Sequence, residues 1–451
     1  MAIIAPFKGL TYNLRRSQDF SRLVAPPYDV ISKEEQDAYY EADPHNVIRL
    51  ILGRKKTGDS DWDNRYTRAA DCVKRWESEG ILTRAKEPCL YVTSITYDAG
   101  NGEPSRTRWG LVALVRIEDP DSGVILPHER TFSAHKDDRL KLMRACMTQF
   151  SQIFALYEDP SDIVMGACKN VMDASPQIEF QLKDGTKHQM WVLEQPALFK
   201  EVADAFLDKP IYIADGHHRY ESSVNFRNIM RTRYGRRPAN RPYEYVMMYL
   251  SNMSHEGLTI LPSHRLIKKV SSFQLDAFLA RIRRWFDIRP HAFSGPDLSR
   301  QCATLKQDLK EAGRLNTAIA SYQHEGGHCH LFSLRPEART EMGSDLHPSL
   351  QKLDVLALSR FVLQKGLGFS RHDLDDEETF HYQSSMETAI SQVQSGQYQM
   401  AFLLNHTKIE HVKEIAGNAL VMPRKSTYFY PKVLSGLVFN KIDPHGIIQI
   451  P

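Results

Sequence analysis

Residues 89–97 alternate apolar and polar side chains and are rich in β-branched and aromatic types, which predicts a strand. Asp98, Ala99, Gly100, Asn101 and Gly102 follow as a hairpin loop, and residues 106–117 read as the returning strand. Elsewhere the period lengthens. Ala69, Ala70, Val73 and Trp76 recur close to every 3.6 residues, which predicts an amphipathic helix over 66–80 with Gly80 as its stop. Ser32 and Glu35 have capping-box spacing, so another helix is expected to begin there. Further along, the pattern predicts a polar helix over 136–150 and a buried strand over 152–157. A hairpin around Asp184-Gly185, a helix over 198–207 and a strand over 245–250 come next. After about Lys268 the order becomes helix (273–286), strand (331–334), helix (350–363) and strand (398–405).

This succession predicts an α/β chain of the mixed α+β kind. The turn cluster at 119–123 and the change of pattern near Lys268 divide it into three expected segments, 1–120, 121–267 and 268–451. A chain of 451 residues is long enough for two or three domains and a large core. Hydrophobic residues at 42% and charged residues at 25% are ordinary for a soluble globular protein. A net charge of +3 gives no electrostatic case for wholesale binding to nucleic acid or membrane. The six cysteines contain no Cys-x-x-Cys pair and fit a reducing cytosol better than a disulfide framework. The opening residues lack a basic, then apolar, leader, and no apolar run is long enough to span a bilayer. A cytoplasmic protein acting on a small molecule is expected; a homo-oligomer is compatible with the sequence.

The richest chemistry lies at Asp215, Gly216, His217, His218, Arg219 and Tyr220. An apolar run, Ile211 to Ala214, leads in, and helix-like sequence follows. Strand, tight turn and helix in that order can aim successive N–H groups at one point. The helix start adds its unpaired N–H groups and positive dipole end, and Arg219 adds a planar charged fork. Together these parts suit a phosphate. The same letters also fit an ordinary Asp-Gly turn with a helix cap.

Other clusters carry two readings each. His128-Glu129-Arg130-Thr131 after Pro127 can supply a general base or a magnesium ligand, or only a surface ion pair. Lys136, Asp138 and Arg139 can extend that site or form a solvated helix face. Pro26-Pro27-Tyr28-Asp29 is a rigid arm that can close over a substrate or strap two parts together. Lys425, Ser426 and Thr427 suit phosphate oxygens or seal the core. His264-Arg265 can add charge to an anion pocket or form a structural pair. His324-Glu325-Gly326-Gly327-His328 matches a zinc-protease pattern only in letters, because two glycines argue against the helix that chemistry needs. No Walker-type loop and no Gly-x-Gly-x-x-Gly fingerprint is present.

The sequence resembles a widespread prokaryotic family catalogued as a domain of unknown function. The resemblance rests on residues 26–31, 128–131, 215–220, 261–265 and 422–427, which run almost end to end. A deeper similarity is to the ParB/sulfiredoxin-like superfamily, whose members place a Gly-turn phosphate loop with His and Arg at a helix start. Free-serine kinases of that superfamily carry a Pro-His-Glu element ahead of the loop, and Pro127-His128-Glu129 is similar to it. The resemblance implies a ParB/sulfiredoxin-like catalytic core with N-terminal and C-terminal α/β subdomains. It implies transfer of a phosphoryl group from ATP, ADP or pyrophosphate, with Mg2+, to free L-serine. Glu129 would be the base, with His128, Arg130 and Asp29 beside it. Asp215 to Tyr220 and Lys425 to Thr427 would hold phosphate. Tyr28, Thr131, Lys136, Arg139, His264 and Arg265 would line the substrate site. His217 stands where sulfiredoxin has its reactive cysteine, which argues against sulfinic-acid reduction. No helix-turn-helix of the partition-protein kind is evident, so nucleic acid is not an expected partner. A nucleotide-operated regulator and a phosphomonoester hydrolase are the alternative functions.

Overall fold

The predicted hairpin forms the middle of a large sheet. Leu90–Tyr97 and Arg106–Arg116 pair antiparallel, with Tyr97 opposite Arg106 and Tyr91 opposite Val112. Their odd–even alternation sends Leu111, Ala113 and Val115 to one face, where they join Ile153, Ala155, Val246 and Met248 in a continuous apolar core. The computed structural model describes residues 1–16, 19–100, 104–129, 131, 133–293, 297–376 and 378–451. Part of the predicted hairpin loop, 101–102, lies outside the described residues.

Among the described residues the sheet has nine strands. Their order is Ile125–Leu126, Ile211–Asp215, Ile153–Tyr157, Tyr245–Asn252, Arg106–Arg116, Leu90–Tyr97, Lys187–Leu193 and Ile178–Gln181, with Ile4–Ala5 joined to Arg106–Arg116. The sheet is mixed. Ile153–Tyr157 runs parallel to Tyr245–Asn252 and antiparallel to Ile211–Asp215. The last of these pairings shifts register between Ile213 and Asp215, a bulge at the strand end. The helices Ile163–Met172 and Pro196–Ala205 place Val164, Met165, Cys168, Phe199 and Val202 in the core of this sheet.

The chain divides into two compact units. One contains Met1–Pro127, Thr131–Thr259 and Pro431–Pro451; the other contains His128–Arg130 and Ile260–Tyr430. The division falls differently from the three expected segments. Strands from both sides of residue 120 share one sheet, and the C-terminal residues return to pair with the first unit, Asn440–Lys441 against Thr148–Gln149. The second unit has its own antiparallel sheet of six strands among the described residues, ordered Phe286–His291, Cys329–Leu334, Ala318–Gln323, Met400–Leu404, His264–Ile267 and Phe380–Gln383. Its core contains Leu305, Leu309, Leu331, Ile390 and Leu403. The mixed α/β class expected from the sequence is the one observed.

Local signals set several boundaries. Ser32 caps Lys33–Ala42, accepting from the Glu35 N–H, while Glu35 accepts from the Ser32 N–H. Ser32→Ala is expected to cost about 1 kcal/mol, read as a lowered urea midpoint with unchanged slope. Three expected helices end or break early. The polar helix is Ser133–Cys146; Met147 follows with φ of 48°, and Thr148 enters a strand. The helix expected over 273–286 is Leu275–Ile282, and Phe286 opens a strand instead. The helix expected over 350–363 splits into Pro348–Gln351, Asp354–Ala357 and a π-helical stretch, Leu358–Gly366. No helix among the described residues is long and apolar enough to cross a membrane.

Candidate functional site

Strand, turn and helix fall where the sequence placed them. Ile211–Asp215 ends at Gly216, and the 18-residue helix His217–Tyr234 starts at once. Gly216 has φ of 94°, a left-handed conformation that L side chains rarely adopt. A Cβ there would also lie 2.8 Å from Arg219 Nε, so the arginine occupies the space a side chain would need. The dihedral calls for glycine, and a Cβ would in addition force the Arg219 fork to shift. An 18-residue helix carries a full dipole, whose positive end lies at this turn.

Asp215 gathers two cations at that point. Arg219 Nη2 donates to Asp215 Oδ2 at 2.7 Å, and Lys432 Nζ donates to Asp215 Oδ1 at 2.8 Å. Arg219 also donates to the Gln152 carbonyl and is 8% exposed. The arginine fork is therefore engaged by protein groups. One carboxylate and two cations meet at the start of the helix. Lys432 was not singled out from the sequence, because 217 residues separate it from Asp215.

A ring of further groups surrounds the turn. The Tyr28 ring lies 3.9 Å from Arg139 Cζ and 6.3 Å from the His135 ring, and His135 lies 5.1 Å from His218. Burial pushes the Tyr28 phenol up to about 12, with Arg139 pulling the other way. Glu221 accepts from Thr131 Oγ1 at 2.7 Å and from Lys136 Nζ at 2.8 Å. Arg139 donates to Asp138 and to the Ile51 carbonyl. Burial alone raises the Asp138 carboxyl pKa; Arg139, Tyr66 and Arg65 outweigh it and hold it low. Tyr28, Thr131, Lys136 and Arg139 are thus brought together with the turn, joined by His135 and Glu221, neither of which is among the expected site residues. Asp29 is exposed in the short 3-10 turn Tyr28–Val30. His217 is buried beside the turn. Tyr220 departs from the expected role, because its ring joins the apolar core and its hydroxyl points to the Glu118 carbonyl.

The other candidates gather in the second unit. His128 is fully buried, with Nε2 3.3 Å from Thr427 Oγ1. The Met422 N–H donates to the His128 carbonyl, and the Lys425 N–H donates to Glu129 Oε1 at 3.3 Å. Lys425 has φ of 54°. Ser426 Oγ donates back to the Pro423 carbonyl, which tightens this turn. Arg265 donates to Ser263 and to the Lys425 carbonyl, and its guanidinium lies 4.3 Å from the Tyr382 ring. Burial lowers the Arg265 pKa, with Tyr382 and Glu129 opposing. Arg265 therefore positions the 424–425 backbone. Arg130 lies outside the described residues.

His264 accepts the Leu404 N–H at Nδ1, and burial, with Arg265 and Lys306, pushes its pKa down to about 3. That is below the ordinary 6.5, so between the two values the unfolded chain binds the proton and the folded chain does not. Stability is intact above about pH 6.5 and is lost as the pH falls toward 3. The urea midpoint is expected to drop between pH 7 and pH 4, and to drop less in His264→Asn.

The expected Mg2+ would bridge phosphate oxygens of a bound donor, and the carboxylates around the turn are already engaged. Asp215, Asp138 and Glu221 are all paired with cations. Among the described residues no group of three or more His, Cys, Asp or Glu is placed to hold a metal. His324 to His328 contains a short 3-10 turn with Gly326 left-handed, not an α-helix.

Solved structures with some likeness to this chain include a conserved hypothetical protein from Pyrococcus furiosus, at 10% identity and TM-score 0.36, covering 74% of this chain and 95% of that one. A free serine kinase in complex with AMP gives 10% identity and TM-score 0.37, covering 74% and 92%. SbnI with a C-terminal truncation, from Staphylococcus aureus, gives 9% identity and TM-score 0.30, covering 75% and 87%. Likeness at this level carries no argument about fold or activity. No curated protein matches the chain. The family described as "Protein of unknown function (DUF1015)" matches residues 4–356, well over half of the sequence, and the chain belongs to that family.

Proposed function

We propose that this protein is a phosphotransferase that moves a phosphoryl group from a nucleotide or pyrophosphate to a small hydroxyl acceptor, free L-serine, giving O-phosphoserine. The observation that carries the reading is the glycine turn: Gly216 at positive φ opens a long helix, and Arg219 and Lys432 converge on Asp215 beside it. The resemblance to serine kinases of the ParB/sulfiredoxin-like superfamily supports the same reading and implies a core of that type.

In this reading the first N–H groups of His217–Tyr234 hold the donor's phosphates, and the two cations turn from Asp215 to the phosphate oxygens. The serine hydroxyl attacks the terminal phosphorus. A new O–P bond forms, the bridging P–O bond breaks, and its electron pair leaves with ADP, AMP or phosphate. Glu129 takes the hydroxyl proton. Lys425 and Arg130 offset the charge on the transferred group. Positioning and electrostatics do most of the catalysis, as is usual for phosphoryl transfer.

Phosphorus NMR with serine and ATP, ADP or pyrophosphate in turn tests this. A phosphoserine resonance with at least one donor supports the proposal. Phosphate released from phosphoserine without any donor would instead mark a phosphomonoester hydrolase, and tight nucleotide binding without transfer would mark a regulator.

A further inference from the structure

Arg108 is the odd residue of the large sheet. It sits within Arg106–Arg116 on the face opposite the apolar core, and it is 1% exposed. Its guanidinium carbon lies 4.5 Å from the centroid of the Phe154 ring and 5.4 Å from that of Tyr249. Nε donates to the Tyr249 hydroxyl at 3.2 Å, while Nη1 and Nη2 are buried without a hydrogen-bond partner. No carboxylate among the described residues forms an ion pair with it. The neighbouring backbone is shaped for this arrangement: at Gly110 a Cβ would lie 2.1 Å from the Tyr249 ring. Removing the side chain there lets the ring lean over the strand toward the arginine.

A buried guanidinium without a counter-charge is costly, and chains keep one where something else satisfies it. The aromatic rings favour the cation through their π systems but accept nothing from the N–H fork. The open requirement is a planar group with two oxygens. A carboxylate matches the Nη1 and Nη2 edge in a bidentate pair. Placement narrows the choice further. Phe154 lies opposite Asp215 in the sheet, so Arg108 stacks on the residue next to the phosphate turn. Arg219 and Lys432 already supply cations at the turn itself.

We propose that Arg108 is the carboxylate-binding residue of the acceptor site, and that the acceptor is accordingly a hydroxyl compound bearing a carboxylate, such as an amino acid. This rests on the phosphotransferase reading for its identification of the ligand as acceptor.

The test uses Arg108→Met and Arg108→Gln in the full chain. Thermal melting shows whether each variant folds, and loss of an unpaired buried charge in Arg108→Met is expected to leave the melting temperature equal or higher. Acceptor kinetics compare L-serine with serinamide, which keeps the hydroxyl and lacks the carboxylate. Wild type is expected to prefer serine by at least about 10-fold in kcat/KM, and the variants to lose that preference while donor affinity stays within about twofold. Variants that keep the serine preference, or that lose donor affinity in parallel, overturn the assignment; the latter would make Arg108 a phosphate ligand. Calorimetric titration of serine into wild type and Arg108→Gln separates this proposal from the one beneath it. Serine binding that depends on Arg108 supports the carboxylate site even if no phosphoserine forms. Equal binding, or none, to both proteins contradicts it.

Discussion

Glu129→Gln is expected to lower phosphoryl transfer by about 10²- to 10⁴-fold while donor affinity stays within about twofold. The amide keeps the carboxylate's shape and one carbonyl oxygen. It can still accept the Lys425 N–H, which Glu129 Oε1 accepts at 3.3 Å, so the turn at 423–427 should hold. The backbone link between His128 and Met422 does not involve the side chain and is untouched. What disappears is the basic oxygen. Paired measurements of kcat and donor Kd make the distinction. An unchanged rate would remove Glu129 from the base role, and Asp29, exposed on its short turn, would be examined next. A loss of donor affinity equal to the loss of rate would make Glu129 part of the donor site.

Gly216→Ala is expected to abolish measurable donor binding and to destabilise the chain by about 1–3 kcal/mol. Two physical effects act together. Alanine is strained at φ of 94°, and its Cβ would meet Arg219 Nε at 2.8 Å. Either the turn opens or Arg219 moves away from Asp215 and the Gln152 carbonyl. Both outcomes scatter the N–H groups and cations that the proposal assigns to phosphate. Urea unfolding measures the first effect, and donor titration at a temperature where the variant is folded measures the second. Wild-type affinity in a folded Gly216→Ala protein would show that the turn is not the phosphate cradle.

The elements legible in the sequence were those whose cause is local. Ser32 and Glu35 form a reciprocal cap three residues apart, and Trp76 with Val73 buries one face of Arg65–Ser78. The Gly216 turn was legible because one glycine between an apolar strand and a polar helix admits few conformations. Long-range causes were hidden. The helix over 133–146 stops at Cys146 because Thr148 and Gln149 pair with Asn440 and Lys441, nearly 300 residues later. Phe286 continues the apolar pattern of the helix before it, yet pairs with Leu334 in a sheet. At the site, Lys432 is a surface-like lysine after a proline until the fold brings it to Asp215. Arg108 reads as one of two neighbouring arginines with Arg106, and only burial between two rings sets it apart.

On the proposed reading, the Gly216 turn grips phosphate. A crystal structure of the protein with bound pyrophosphate or ADP would show whether it does. Phosphate oxygens within hydrogen-bonding distance of the first N–H groups of His217–Tyr234, with Lys432 or Arg219 turned toward them, are the predicted result. A donor bound elsewhere, with the turn empty and both cations still on Asp215, would contradict it.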